Sequence, residues 1–274
     1  MPADRDAEYF VSLAEALQPW LGQVVFIGGW AHRLYRLHPL AQPLDYTPMT
    51  TFDTDVAVPA QLPVVGQTIR ERLLERDFHE DRLGDAQPPA THYRLVTAES
   101  GFYAEFLTPL EGSEYKRGGK RDTTTRIAGV SSQKLRYIDL LLAAPWEVEI
   151  GEATGYPSPG VMRVLVPNPA SYLAQKVLIH KKRPHADRAR DVLYIHDTFE
   201  AFGGSLTAIR VEWESNVRPD LPARATRLLQ QAAVTLFAEV NDTIREAALI
   251  DKGRSLTPER IREVCSYGWK QVFG

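Results

Sequence analysis

Apolar side chains recur at helical spacing near the start of the chain, at Phe10, Leu13, Ala14 and Leu17. They predict an opening helix over residues 6–17 that stops ahead of Pro19, because proline disfavours a helical residue before it. The short run Val24-Val25-Phe26-Ile27 is rich in β-branched residues, ends at Gly28-Gly29 and leads into WAHRLY, which reads as strand, glycine turn and helix. Three prolines between residues 37 and 48 mark a loop. Residues 51–58 alternate acids with apolar and β-branched side chains and end at Pro59, the pattern of a strand. A helix is expected over 69–78, a loop at Pro88-Pro89, and a hairpin of two strands, 91–96 and 102–107, turning at Ser100-Gly101. The glycine-, threonine- and charge-rich stretch 111–134 is too polar for core and reads as a mobile loop. Strands are expected at 137–142 and 161–166, and helices at 170–181, 186–202, 222–247 and 258–271. The fold class is therefore α/β (α+β), a mixed sheet with flanking helices over 1–166 followed by a helical part over 167–274.

Composition narrows the class without choosing a function. With 274 residues, 44% of them hydrophobic and 24% charged, the chain has material for a sizeable core. A net charge of -3 argues against a generally basic nucleic-acid binder and leaves only local basic patches for a polyanion. The lone cysteine, Cys265, allows no intramolecular disulfide and no thiolate zinc site, which fits a cytoplasmic location. The N-terminal segment is acidic and lacks the pattern of a signal peptide. No stretch approaches the roughly 20 apolar residues of a spanning helix, so no membrane partner is expected. The seven histidines form no HExxH pair, and neither a G-x-S-x-G elbow nor a Walker A loop occurs.

Two places carry chemistry. Asp53 and Asp55 lie two apart on an expected strand, so both side chains leave the same face, about 7 Å apart along the chain. Paired carboxylates suit Mg2+ or Mn2+, hard ions that complete their shells with water and substrate phosphates. Upstream, Gly28-Gly29 stands where a strand meets a helix, so backbone amides can approach phosphate closely. Taken separately, an Asp-x-Asp is commonly a solvated strand end and a Gly-Gly a bare turn. Their order makes them informative: strand, Gly-Gly, helix, loop, strand with Asp-x-Asp.

FIGGWA followed by TTFDTDVAV resembles the first motif of the nucleotidyltransferase superfamily, the polymerase-β-like fold, in which hG[GS] precedes Dx[DE] by one helix. AEFLTPL (104–110), LRYIDLLL (135–142) and VLVPNPASYLAQKVLIHKKR with ARDVLYI (164–195) resemble a bacterial nucleotidyltransferase-fold family distantly similar to the abortive-infection toxin AbiEii. The resemblance covers roughly residues 20–200. It implies Asp53, Asp55 and Glu105 as catalytic, metal-binding acids, with glutamate at 105 where relatives usually carry aspartate. Asp139 is the rival third acid. It also implies nucleotide contacts from Gly28, Gly29, Lys176, Tyr172 and Arg183, with Tyr172 and His180 on the same helix face as Lys176. Arg183, Arg190 and Asp191 match the family's trailing basic and acidic positions.

The activity so implied is transfer of a nucleoside monophosphate from an NTP to a hydroxyl of tRNA, protein or a small molecule, with a toxin or phage-defence role by analogy. Lys116, Arg117, Lys120, Arg121 and Arg126 in the 111–134 stretch are candidates to cover a nucleotide or meet an RNA backbone. Two other readings stay open: a catalytically silent nucleotide-binding or interaction module of the same fold, and an antibiotic nucleotidyltransferase.

Overall fold

The structure is a computed structural model that describes residues 5–49, 51–64, 66–83, 90–98, 100–113, 115, 119 and 123–274. Its contacts divide the chain into a sheet unit, Met1–Leu37 with Thr50–Pro167, and a helical unit, His38–Met49 with Asn168–Gly274.

In chain order the sheet unit comprises α1 (Arg5–Ala16), β1 (Val25–Phe26), α2 (Gly28–Leu34), β2 (Asp53–Ala57), α3 (Ile69–Leu74), β3 (Phe78–Leu83), β4 (Ala90–Leu95), β5 (Tyr103–Pro109), β6 (Thr124–Ile127), β7 (Val130–Leu135), α4 (Ile138–Leu142), β8 (Trp146–Ile150) and β9 (Met162–Val166). The sheet is mixed and runs β3-β4-β5-β2-β1-β9-β8, with β7 pairing farther along β5 and carrying β6 as a hairpin. β5 therefore has β2 along one edge, while β4 and then β7 share the other.

Side-chain alternation divides the buried residues between the two faces of the sheet. Phe26 points towards an aromatic cluster, where the Phe10 ring of α1 stacks on Trp30 of α2 at 4.3 Å and meets Phe26 at 4.8 Å. Such pairs each add about 0.5–1.5 kcal/mol beyond area burial. Val25 and Ile27 face the other way and form a second cluster with Ala57, Leu107, Ile138 and Leu141.

Three elements differ from the sequence expectation. In place of the strand expected at 137–142, residues 138–142 form a helix, α4, because Tyr137 takes a left-handed φ of 67° that breaks the extended chain. Ile138, Leu140 and Leu141 are then buried while Asp139 is exposed. A six-residue apolar run does not by itself separate a strand from a buried helix. Much of 111–134 is not a loop, since β6 and β7 form a hairpin whose two turn residues, Ala128 and Gly129, both have positive φ. That is the geometry of a tight primed turn. Lys116, Arg117, Lys120 and Arg121, like Pro88-Pro89, lie outside the described residues. The helix expected over 69–78 ends early: the Thr68 and Glu71 capping box starts α3, and Phe78 already belongs to β3.

The helical unit holds α5 (Pro169–Ile179), α6 (His185–Ala201), α7 (Leu206–Glu212), α8 (Ala223–Phe237), α9 (Asp242–Ala248) and α10 (Pro258–Phe273). The single helix expected over 222–247 is two, because Asn241 caps a new start by accepting from the Ile244 amide at 3.1 Å. The 38–49 segment is sewn to these helices through bonds from the Gln42 amides to Ala201 and Glu200 carbonyls, both at 2.8 Å. No described helix is long and apolar enough to cross a membrane.

Candidate active site

Strands β2 and β5 lie side by side and parallel, with Asp53 opposite Tyr103 and Asp55 opposite Glu105. Alternation places Asp53, Asp55 and Ala57 on one face, with Tyr103, Glu105 and Leu107 beside them. Thr54, Val56, Ala104 and Phe106 turn to the other face and are buried. The acids thus occupy one end of a strip whose other end, Ala57 and Leu107, is covered by Ile138 and Leu141 of α4. The apolar end fixes the strands, and the acidic end is left half-open.

β1 meets β2 on its other edge, antiparallel, with the Ile27 amide donating to the Asp55 carbonyl at 2.9 Å. The next residue, Gly28, has a φ of 63°. A Cβ there would collide with Oδ2 of Asp55. Glycine is needed at this position for both conformation and space. Gly28 and Gly29 open α2, so its first turn starts against the Asp55 carboxylate.

Like charges meet in this strip. Burial, and then the Asp53 carboxylate, push Glu105 up to about 7. Burial, Asp53, Glu105 and Asp55 together raise Tyr103 well above the ordinary phenol range. The Asp53 carboxylate also accepts from the Thr51 hydroxyl. His92 of β4 brings Nε2 to 2.5 Å from Oε1 of Glu105. Its ring stacks on Tyr103 at 4.1 Å and 12°. Burial lowers its basicity, against smaller opposing effects from Asp81 and Asp53.

Asp53, Asp55 and Glu105 are thus half-buried on one sheet face beside a close-approach glycine, and carboxylates are the donors a hard divalent cation prefers. The rival acid Asp139 is exposed in the first turn of α4. His92 and Tyr103 did not stand out in the sequence. The alternation of THYRL and FYAEFL marks both strands, but only their register, Tyr93 opposite Ala104, shows which histidine meets which glutamate.

Tyr172, Lys176 and Arg183 come together within the helical unit. Lys176 is buried, its Nζ 2.6 Å from Oδ1 of Asp191 and within 5.4 Å and 5.1 Å of the Tyr172 and Tyr194 ring centres. Arg183 places Nε 3.3 Å from the second Asp191 oxygen. Asp191 therefore neutralises the lysine that the sequence suggested for phosphate.

Among the described residues, His196, Asp197 and Glu200 have ligand atoms within 4.8 Å of one another. Arg254 donates to Asp197 at 2.8 Å and lies 3.6 Å from Glu200, and Arg260 lies 3.3 Å from Glu200. Two guanidinium groups already compensate these carboxylates and repel a cation, so the cluster is an internal ion network.

A family model described as nucleotidyltransferase matches residues 6–216. Comparison with curated proteins finds no match. Among solved structures, an antigenic nucleotidyltransferase-like protein from Paracoccidioides brasiliensis aligns with a TM-score of 0.44 and 16% identity, over 86% of this chain and 89% of that one.

Proposed function

The chain belongs to the nucleotidyltransferase family matched over residues 6–216, and on that premise we propose that it is an enzyme transferring a nucleoside monophosphate from an NTP to an acceptor hydroxyl, with release of pyrophosphate. The carrying observation is the parallel register that sets Asp55 beside Glu105 on the face of Asp53, against the Gly28 turn.

Asp53, Asp55 and Glu105 are the residues that would hold Mg2+ or Mn2+. Such an ion, when bound, lowers the pKa of an attacking hydroxyl and neutralises the triphosphate. Gly28 and Gly29, with no side chains, let phosphates approach the backbone closely. By the resemblance Glu105 takes the place of the third carboxylate, which would bind the metal or act as base for the acceptor hydroxyl. The resemblance also implies nucleotide contacts from Tyr172, Lys176 and Arg183, and within the helical unit Lys176 and Arg183 gather on Asp191. An acceptor hydroxyl on tRNA, protein or a small molecule is what the fold resemblance implies, and a toxin or phage-defence role rests on the resemblance to AbiEii alone.

The test is incubation of the purified chain with labelled NTPs, Mg2+, tRNA and cell extract. Label should enter an acceptor and fall to background in Asp53→Asn. Absence of labelled product together with absence of nucleotide binding overturns the reading. A second reading, a silent nucleotide-binding module, draws on the commitment of Lys176 to Asp191. It predicts nucleotide binding without transfer, and cellular activity that survives Asp53→Ala.

A further inference from the structure

We propose that His92 is a positioning residue for Glu105, holding one carboxylate oxygen so that the other is presented to the metal. The inference rests on the reading of Asp53, Asp55 and Glu105 as metal-binding acids. Four strands carry a row of polar side chains across the sheet. Asp81 of β3 pairs with His92 of β4, and Glu105 of β5 pairs with Asp55 of β2. The antiparallel register of β4 and β5 sets Tyr93 opposite Ala104, which puts His92 and Glu105 next in line, where their side chains meet. The row therefore reads Asp81, His92, Glu105, Asp55, and the contact of 2.5 Å between Nε2 and Oε1 closes its middle.

The chain also fixes the imidazole itself. Stacking on Tyr103 at 4.1 Å and 12° sets the ring plane, and Tyr103 is two residues from Glu105 on the same face. The His92 and Glu105 side chains keep only 22% and 20% of their surface exposed, so water competes poorly for the bond. Glutamate has one more rotatable bond than aspartate, so its carboxylate sweeps a larger volume unless held. His92 removes that freedom. Hydrogen-bond partners of ligating carboxylates act in this way in metal sites generally.

Mn2+ titration of the full chain, followed by the electron paramagnetic resonance signal of the free ion, tests the assignment. Two substitutions separate the bond from the stack. His92→Phe keeps a ring on Tyr103 and removes the donor, and Mn2+ affinity should drop about 10- to 100-fold. His92→Gln keeps a donor without the ring and should recover most of that loss. In His92→Ala, added imidazole should restore binding, which covers the case in which the Phe variant fails to fold.

Parent-like Mn2+ affinity in His92→Phe, with binding abolished in Asp53→Asn, overturns the positioning role and spares the reading of the acids. Parent-like affinity in His92→Ala without imidazole does the same. A parent chain that binds no Mn2+ overturns both.

Discussion

Glu105 carries a large electrostatic shift in the acidic strip, and its sign makes a pH prediction. Held up to about 7 by burial and by Asp53, against an ordinary value of 4.5, it binds its proton more tightly folded than unfolded. The stability this confers is complete below 4.5 and is lost as pH rises to 7. In chelator-treated protein, the melting temperature of Glu105→Gln should therefore gain steadily on that of the parent from pH 4.5 to 7. A difference that stays flat across this window refutes the stated environment. The same repulsion explains why the acids are poised for a cation, since a positive ion removes the cost that burial imposes. Gly28 is constrained by the same group, because Asp55 Oδ2 occupies the space of a side chain there.

At the scale of elements, the acidic strip depends on α4. Its Ile138 and Leu141 cover Ala57 and Leu107, the continuation of the two acid-bearing strands on the same face. Leu141 is 2% exposed, so Leu141→Ala should cost about 2–5 kcal/mol in urea unfolding. A loss under about 0.5 kcal/mol, the range of an unremarkable surface change, contradicts the packing described. The pattern YIDLLL suits a strand as well as a helix, and Tyr137 settles the matter through a left-handed φ that local pattern does not announce. Likewise β6 and β7 look like loop because their residues are polar. They are strands because β5 has a second edge segment to offer.

Across the whole molecule, the buried charges described in the helical unit are matched: Lys176 with Asp191, and Arg254 with Asp197. Breaking such a pair leaves an uncompensated charge and costs about 3–5 kcal/mol. Lys176→Met should therefore lower unfolding free energy by that amount, and a second change, Asp191→Leu, should recover much of it. Unchanged stability in Lys176→Met would free the lysine from its structural role and strengthen the case for phosphate contact.

What the sequence by itself determined is local: an Asp-x-Asp on one strand face, a Gly-Gly where a strand turns into a helix, and the change from mixed elements to helices after Pro167. Those features follow from side-chain periodicity and backbone preference over a few residues, which a linear chain displays directly. Tertiary structure alone decided that Glu105 stands beside Asp55, that His92 and Tyr103 join them, and that Asp191 claims Lys176. Each of those depends on register or packing between residues 11 to 50 apart in the chain, and a shift of one residue in any strand would send the same side chains to the opposite face.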